Sequence, residues 1–198
     1  MKRLFSLAGH TIAISLLIQC GSSKKDDTVA VGELEGTWST GCMAEENNTS
    51  SKNSALYNGT TSTLSITHYS DAACSDKSLI SKTSLSFIIG TAVSAGKKID
   101  STVISSSLEF STEAGVASAN SQSLYAYTNW KKDLSQDITG KKSQADQDPD
   151  VTKGEINYSI FKLEGTKLTF GKQTETEDEK TDAKRATTID ESAVFIKQ

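Results

Sequence analysis

Short runs of period-two alternation recur between residues 34 and 197, and they constrain the fold more than any other feature. In Thr63-Leu64-Ser65-Ile66-Thr67-His68, the residues Leu64, Ile66 and His68 share one face and small hydroxyl residues take the other. Leu85, Phe87 and Ile89 alternate with Ser84, Ser86 and Ile88, and Leu108 and Phe110 alternate with Ser107, Glu109 and Ser111. Tyr125 and Tyr127 oppose Leu124, Ala126 and Thr128. Ile156 to Ile160 precedes Leu163, and Leu168 to Phe170 follows Glu164-Gly165-Thr166, a hairpin signal. Ala193 to Lys197 alternates again, and Leu34 to Thr40 adds a first strand. About eight or nine short strands result, which suits an antiparallel barrel or a sandwich. The one helix expected covers Asn129 to Ile138, with Asn129 as cap and Trp130, Leu134 and Ile138 as its sparse apolar stripe. Two polar stretches, one through Asp150 and one from Glu175 to Lys184, read as solvated loops.

The first nineteen residues read as a removable signal. Lys2 and Arg3 precede a mostly apolar run from Leu4 to Ile18. Fifteen residues at the helical rise span about 22 Å, short of the roughly 30 Å hydrocarbon core. Leu17-Ile18-Gln19-Cys20 resembles the lipobox of bacterial lipoproteins, in the relaxed form of spirochaetal ones; Gln19 stands where a small residue is usual. The resemblance implies cleavage before Cys20 and palmitate-type acylation of its thiol, which with two or three chains anchors a protein stably. Residues 20–32 are then a lipidated cysteine and flexible tether, and 33–198 the folded domain. Gly21 follows the cysteine, so the outer membrane or cell surface is the expected location within the cell envelope, rather than the inner membrane.

With Cys20 assigned to lipid, Cys42 and Cys74 remain. In an oxidising compartment an isolated pair reads as a disulfide; two unrelated buried thiols are the competing reading. Removing Lys2 and Arg3 leaves 19 basic against 25 acidic residues, a formal charge of −6. No basic surface for nucleic acid is expected from that balance.

Gly36-Thr37-Trp38 resembles the G-x-W of the lipocalins, in which the tryptophan closes one end of an eight-stranded barrel and an arginine stacks over it. Arg185 is the only arginine after Arg3. The resemblance therefore implies a barrel-closing pair of Trp38 and Arg185. A broader likeness is to lipocalin-like bacterial lipoproteins of unassigned function. Their pattern appears in Gly36-Thr37-Trp38 with Cys42, in Tyr69-Ser70-Asp71-Ala72-Ala73-Cys74, in the hairpin between Ile156 and Gly171, and in Lys184-Arg185. It implies an all-β, up-and-down antiparallel barrel and an envelope compartment, and no activity.

Catalytic equipment is sparse in this sequence. His68 is the only histidine after His10 and sits on an apolar strand face, where a core or rim role is expected rather than a ligand's. Asp146-Gln147-Asp148-Pro149-Asp150 opens like a calcium loop but lacks the following glycine, and Asn157 stands where the bidentate glutamate belongs. No metal or cofactor is expected. Asn47-Asn48-Thr49 and Asn58-Gly59-Thr60 match the glycosylation acceptor by chance. The expected function is noncatalytic: an envelope lipoprotein binding a small apolar ligand or a macromolecular partner. The candidate lining residues are Leu64, Ile66, Phe87, Tyr125, Tyr127 and Tyr158. The alternatives are a histidine-independent carboxylate enzyme and a purely structural envelope protein.

Overall fold

The computed structural model describes residues 31–143 and 149–198. The expected signal segment, Cys20, the tether as far as residue 30, and Asp146 and Asp148 of the acidic run lie outside the described residues. In chain order the elements are β1 (Gly36–Ser39), β2 (Met43–Ala44), β3 (Ser50–Asn58), β4 (Thr61–Tyr69), β5 (Lys77–Val93) and β6 (Gly96–Phe110). They continue with α1 (Glu113–Ser121), β7 (Gln136–Asp137), β8 (Ile156–Glu164), β9 (Lys167–Phe170) and β10 (Phe195–Lys197).

Eight of these strands form a closed, up-and-down antiparallel barrel. Neighbours run β3-β4-β5-β6-β8-β9-β10, and β1 closes the ring by pairing with β10 on one side and β3 on the other. The two-residue strands β2 and β7 are appended to β3 and β6. The β3–β4 and β8–β9 turns are two-residue loops, Gly59-Thr60 and Gly165-Thr166, each entered by a glycine at a left-handed φ near +60°. Glycine adopts that conformation without steric cost, which is why both hairpins turn where they do.

The floor of the barrel is packed apolar. Leu34, Trp38 and Leu168 are wholly buried, surrounded by Ala55, Tyr57, Phe87, Ile89, Ile99, Phe161 and Phe195. Trp38 donates its indole N–H to the Leu34 carbonyl at 2.7 Å, so burying its polar edge leaves no donor unmade. The cation over its ring is Lys197, 5.1 Å from the centroid, and not Arg185. The expected Trp38–Arg185 pair is therefore corrected. β10 carries Lys197 directly opposite Trp38, whereas Arg185 lies ten residues before that strand and is engaged with β6 and β8.

The long β5–β6 hairpin runs past the end of β8, level with β4 on its other side. A one-residue bulge at Ile104, between the pairs Ser84↔Ser105 and Leu85↔Val103, accentuates its twist. Its upper inner face is covered by a second apolar cluster of Leu108, Val116, Ala119, Tyr125, Trp130 and Ile138. Here two expectations are corrected. The helix is α1, not Asn129–Ile138: Thr112 accepts from the Gly115 N–H at 3.0 Å and starts it. Asp133 takes a left-handed φ of 57° inside the expected helix, and Trp130 is pinned instead by Asn120, whose amide bonds both its N–H and its carbonyl. The expected strand at Leu124–Thr128 is a tight 3-10 turn over Leu124–Ala126 with Tyr125 and Ala126 left-handed. Burial of the Tyr125 ring in the cluster and donation of its hydroxyl to Asp150 outweigh the strand propensity.

Cys42 and Cys74 form a disulfide that ties the segment after β1 to the β4–β5 turn. Asp71 organises that turn, accepting the Ser75 and Asp76 N–H groups at 3.0 and 3.2 Å. Those hydrogen bonds, led by the one from Ser75, hold its carboxyl below the usual carboxylate range. For a loop closed at a sequence separation of 32, the chain-entropy model gives a stabilisation of about 3–4 kcal/mol. Cys42→Ser combined with Cys74→Ser is expected to lower the unfolding free energy by that amount in urea titrations, with the native spectrum retained. An unchanged midpoint would mean that the bridge does not constrain the unfolded chain.

Candidate functional site

On β3, β5 and β8 side-chain size falls from the floor of the barrel to its mouth, and this taper makes a cup. Inward positions on β5 read Ser81, Thr83, Leu85, Phe87 and Ile89 from mouth to floor; on β8 they read Asn157, Ser159 and Phe161; on β3, Asn53, Ala55 and Tyr57. Small polar residues cannot fill the upper barrel, so a cavity of about 740 Å³ opens there. Its wall combines apolar surfaces from Tyr57, Leu64, Leu85, Phe170 and Phe195 with hydroxyls and amides from Ser81, Thr83, Ser101, Asn157 and Ser159. A smaller side cavity of about 310 Å³ shares Thr83, Asn157, Gln173 and Glu179 with it.

The segment from Gly171 to Ser192 folds across one side of the mouth. Gly171 donates to the Ile160 carbonyl at 2.8 Å, and Lys172 to the Thr188 carbonyl at 2.9 Å. Arg185 anchors this segment. Its guanidinium, 8 % exposed, donates to the Ser159 carbonyl at 2.6 Å, to the Ile99 carbonyl at 3.3 Å, and through Nε and Nη2 to Asp182 Oδ1. Asp100 Oδ1 lies 2.6 Å from Nη2 as an ion pair, and the Tyr158 ring lies beneath at 5.4 Å. One planar fork of donors thus meets oxygens from Ser159, Ile99, Asp182 and Asp100, a task lysine's point charge cannot do.

Glu179 is brought by that anchor into the cup wall. It is 4 % exposed, its backbone is left-handed at φ 59°, and its N–H and C=O pair with the Lys184 carbonyl and the Tyr158 N–H. Its carboxylate accepts the Ser159 hydroxyl on Oε1 and the Gln173 amide on Oε2 at 2.9 Å. A β-carbon built on Gly171 would stand 2.5 Å from Ala186 Cβ and 2.9 Å from Glu179 Oε1, so only glycine lets the carboxylate sit there. Deeper in the cup, Tyr57 is 3 % exposed and stacked edge-on against Phe87 at 5.2 Å. No hydrogen bond reaches its hydroxyl among the described residues, and burial pushes its phenol well above the ordinary tyrosine range. Asn53 Oδ1 is likewise buried without a partner.

Of the residues expected to line a site, Leu64 and Ile66 do so. Phe87 lies in the packed floor behind Tyr57. Tyr125 and Tyr127 belong to the outer cluster, and Tyr158 faces Arg185 outside the cup. His68 lies toward the rim, 4.0 Å from Glu45. Among the described residues no group of three or more His, Cys, Asp or Glu side chains is placed to hold a metal ion. The residues that the sequence reading missed are Asn53, Tyr57, Ser159, Gln173 and Glu179. Two signals pointed toward them: Asn58-Gly59-Thr60, a hairpin turn that implies a strand before it, and the lone Arg185 beside an acidic loop. No protein-family model matches the chain, and no curated protein matches it.

The anchor makes a direct prediction. Arg185→Lys keeps the charge and loses the fork, and is expected to cost about 1–3 kcal/mol in urea unfolding at neutral pH. The hydrogen bond and charge of Arg185 hold the Asp182 carboxyl below the usual range. That contribution is fully present above the ordinary carboxylate pKa and is lost as pH falls through the lowered one. The difference between the unaltered protein and the Arg185→Lys variant should therefore shrink on acidification. A difference within about 0.5 kcal/mol at neutral pH would make the guanidinium a bystander.

Proposed function

We propose that this chain is a noncatalytic binding protein of the bacterial cell envelope, tethered to a membrane by lipid on Cys20, whose barrel takes a small ligand into its cup. The observation that carries the binding reading is the cup itself. Its volume of about 740 Å³ falls within the roughly 300–1,000 Å³ usual for ligand sites, and it lies open at one end of a rigid barrel. The wall is mixed rather than apolar, so the occupant that fits is an amphipathic molecule, not the purely apolar one expected from the strand pattern. The tether reading rests on Lys2, Arg3 and the Leu17-Ile18-Gln19-Cys20 match, and the Cys42–Cys74 disulfide suits the oxidising compartment to which such a signal leads.

Native mass spectrometry of the protein released gently from its own host membranes tests the binding reading. A discrete bound species of small-molecule mass is expected; a clean apo mass under the gentlest conditions would reject it in favour of a surface partner or a structural role. For the tether, Cys20→Ala is expected to abolish acylation and move the protein to the soluble fraction. Retention in membranes without acylation would show that an uncleaved apolar segment holds it instead.

A further inference from the structure

We infer that the cup selects an amphiphile with a protonated amine head, seated against Glu179, with its apolar part directed toward Tyr57, Leu85 and Phe195. This rests on the cup being a ligand site and names the chemistry of its occupant.

Three observations converge. First, Glu179 is a buried carboxylate in the cup wall with no lysine, arginine or histidine nitrogen within 4.0 Å among the described residues. A carboxylate has about four lone-pair sites, and Ser159 and Gln173 occupy one on each oxygen, leaving acceptor capacity toward the cavity. Arg185 does not neutralise it directly, being paired with Asp100 and Asp182 and reaching only the carbonyl of Ser159. Second, the remaining charges of the wall are one lysine and one acid at the rim. Lys172 lies near Asp190, whose carboxyl is held low by hydrogen bonds from Ser192 and, more weakly, by that lysine. The wall thus holds two acids and one lysine, and Glu179 is the acid with no cation beside it among the described residues. Third, the Tyr57 hydroxyl in the same wall has no hydrogen-bond partner among the described residues.

An ammonium brings three donors and no acceptor, which suits the remaining lone pairs of the Glu179 carboxylate. A charge-assisted bond at a buried carboxylate is stronger than a neutral one, so an amine outcompetes an alcohol of the same length. An anionic head is repelled by the same carboxylate.

The test is isothermal titration of the full-length protein in phosphatidylcholine nanodiscs with hexylammonium, hexan-1-ol and hexanoate, against empty nanodiscs. Hexylammonium is expected to bind at least about tenfold more tightly than hexan-1-ol, and hexanoate not at all. Glu179→Gln, which keeps the shape and removes the charge, should bring amine and alcohol to within about twofold; Glu164→Gln, an exposed acid on the β8–β9 turn outside the cup, should leave the preference standing. Equal binding of amine and alcohol to the unaltered protein overturns the assignment while leaving the cup a ligand site. Failure of all three probes overturns the amine assignment, and the ligand reading then stands or falls on the native mass spectrum. If Glu179→Gln does not give a native near-ultraviolet spectrum, the comparison of the three probes on the unaltered protein, with Glu164→Gln, still decides the matter.

Discussion

Closure of the sheet by β1 is the interaction on which the remaining structure depends. A strand of four residues pairs with β3 on one side and β10 on the other, so the eight-stranded ring has no free edge. The joint is short. β10 is three residues long and meets β9 through Phe195↔Leu168 and Ile196↔Lys167. Backbone bonds that few contribute little on their own, so side chains must hold the seam. Trp38 and Leu168 are wholly buried there, and Phe170 meets Phe195 edge-on at 5.6 Å. The burial of one tryptophan, with its N–H satisfied by Leu34, thereby supports both the floor of the cup and the continuity of its wall.

With the ring closed, the cup follows from the order of side-chain sizes along the strands. Phe, Ile and Leu at the floor interlock, while Ser, Thr and Asn toward the mouth leave space. Such a barrel gives up apolar burial in its upper half, at about 25 cal/mol for each square ångström not removed from water. The mouth is therefore held by other means: the Cys42–Cys74 bridge on one side, Arg185 on another, and the apolar cluster under α1 on the extended β5–β6 hairpin. These restraints need no side chain in the cavity. Stability is displaced to the rim, and the interior stays open.

Much of the barrel was legible because alternation is a local signal. The β4 and β5 patterns, the Glu164-Gly165-Thr166 turn and the Gly36-Thr37-Trp38 start all appear where the sequence puts them. β3 was not legible, because Ser50, Ser51, Asn53 and Ser54 make a strand whose inward positions are as polar as its outward ones. Nor was α1, a short helix with only Val116 and Ala119 buried, whose clearest mark is the Thr112 cap. Trp130, Leu134 and Ile138 have helical spacing, yet Leu134 is exposed and the other two serve the cluster from an irregular segment. The candidate site was least legible. Glu179 sits in a run of charges that reads as solvated, and its burial is created by contacts with β8 some twenty residues away in sequence.

Ser159 links the restraint at the rim to the chemistry of the cup. Its carbonyl accepts the Arg185 guanidinium, and its hydroxyl donates to Glu179. Arg185 and Glu179 also lie six residues apart on the same segment, with the Glu179 N–H closing onto the Lys184 carbonyl. Any loosening of the arginine therefore acts on the carboxylate along two short routes, through the residue they share on β8 and through the turn that joins them. The converse also holds by linkage: a ligand that binds the carboxylate in its held position stabilises the segment, and with it the fork. The sole arginine of the folded domain thus belongs with the site even though it lies outside the cavity, and its placement beside an acidic loop is the sequence feature through which the site can be found.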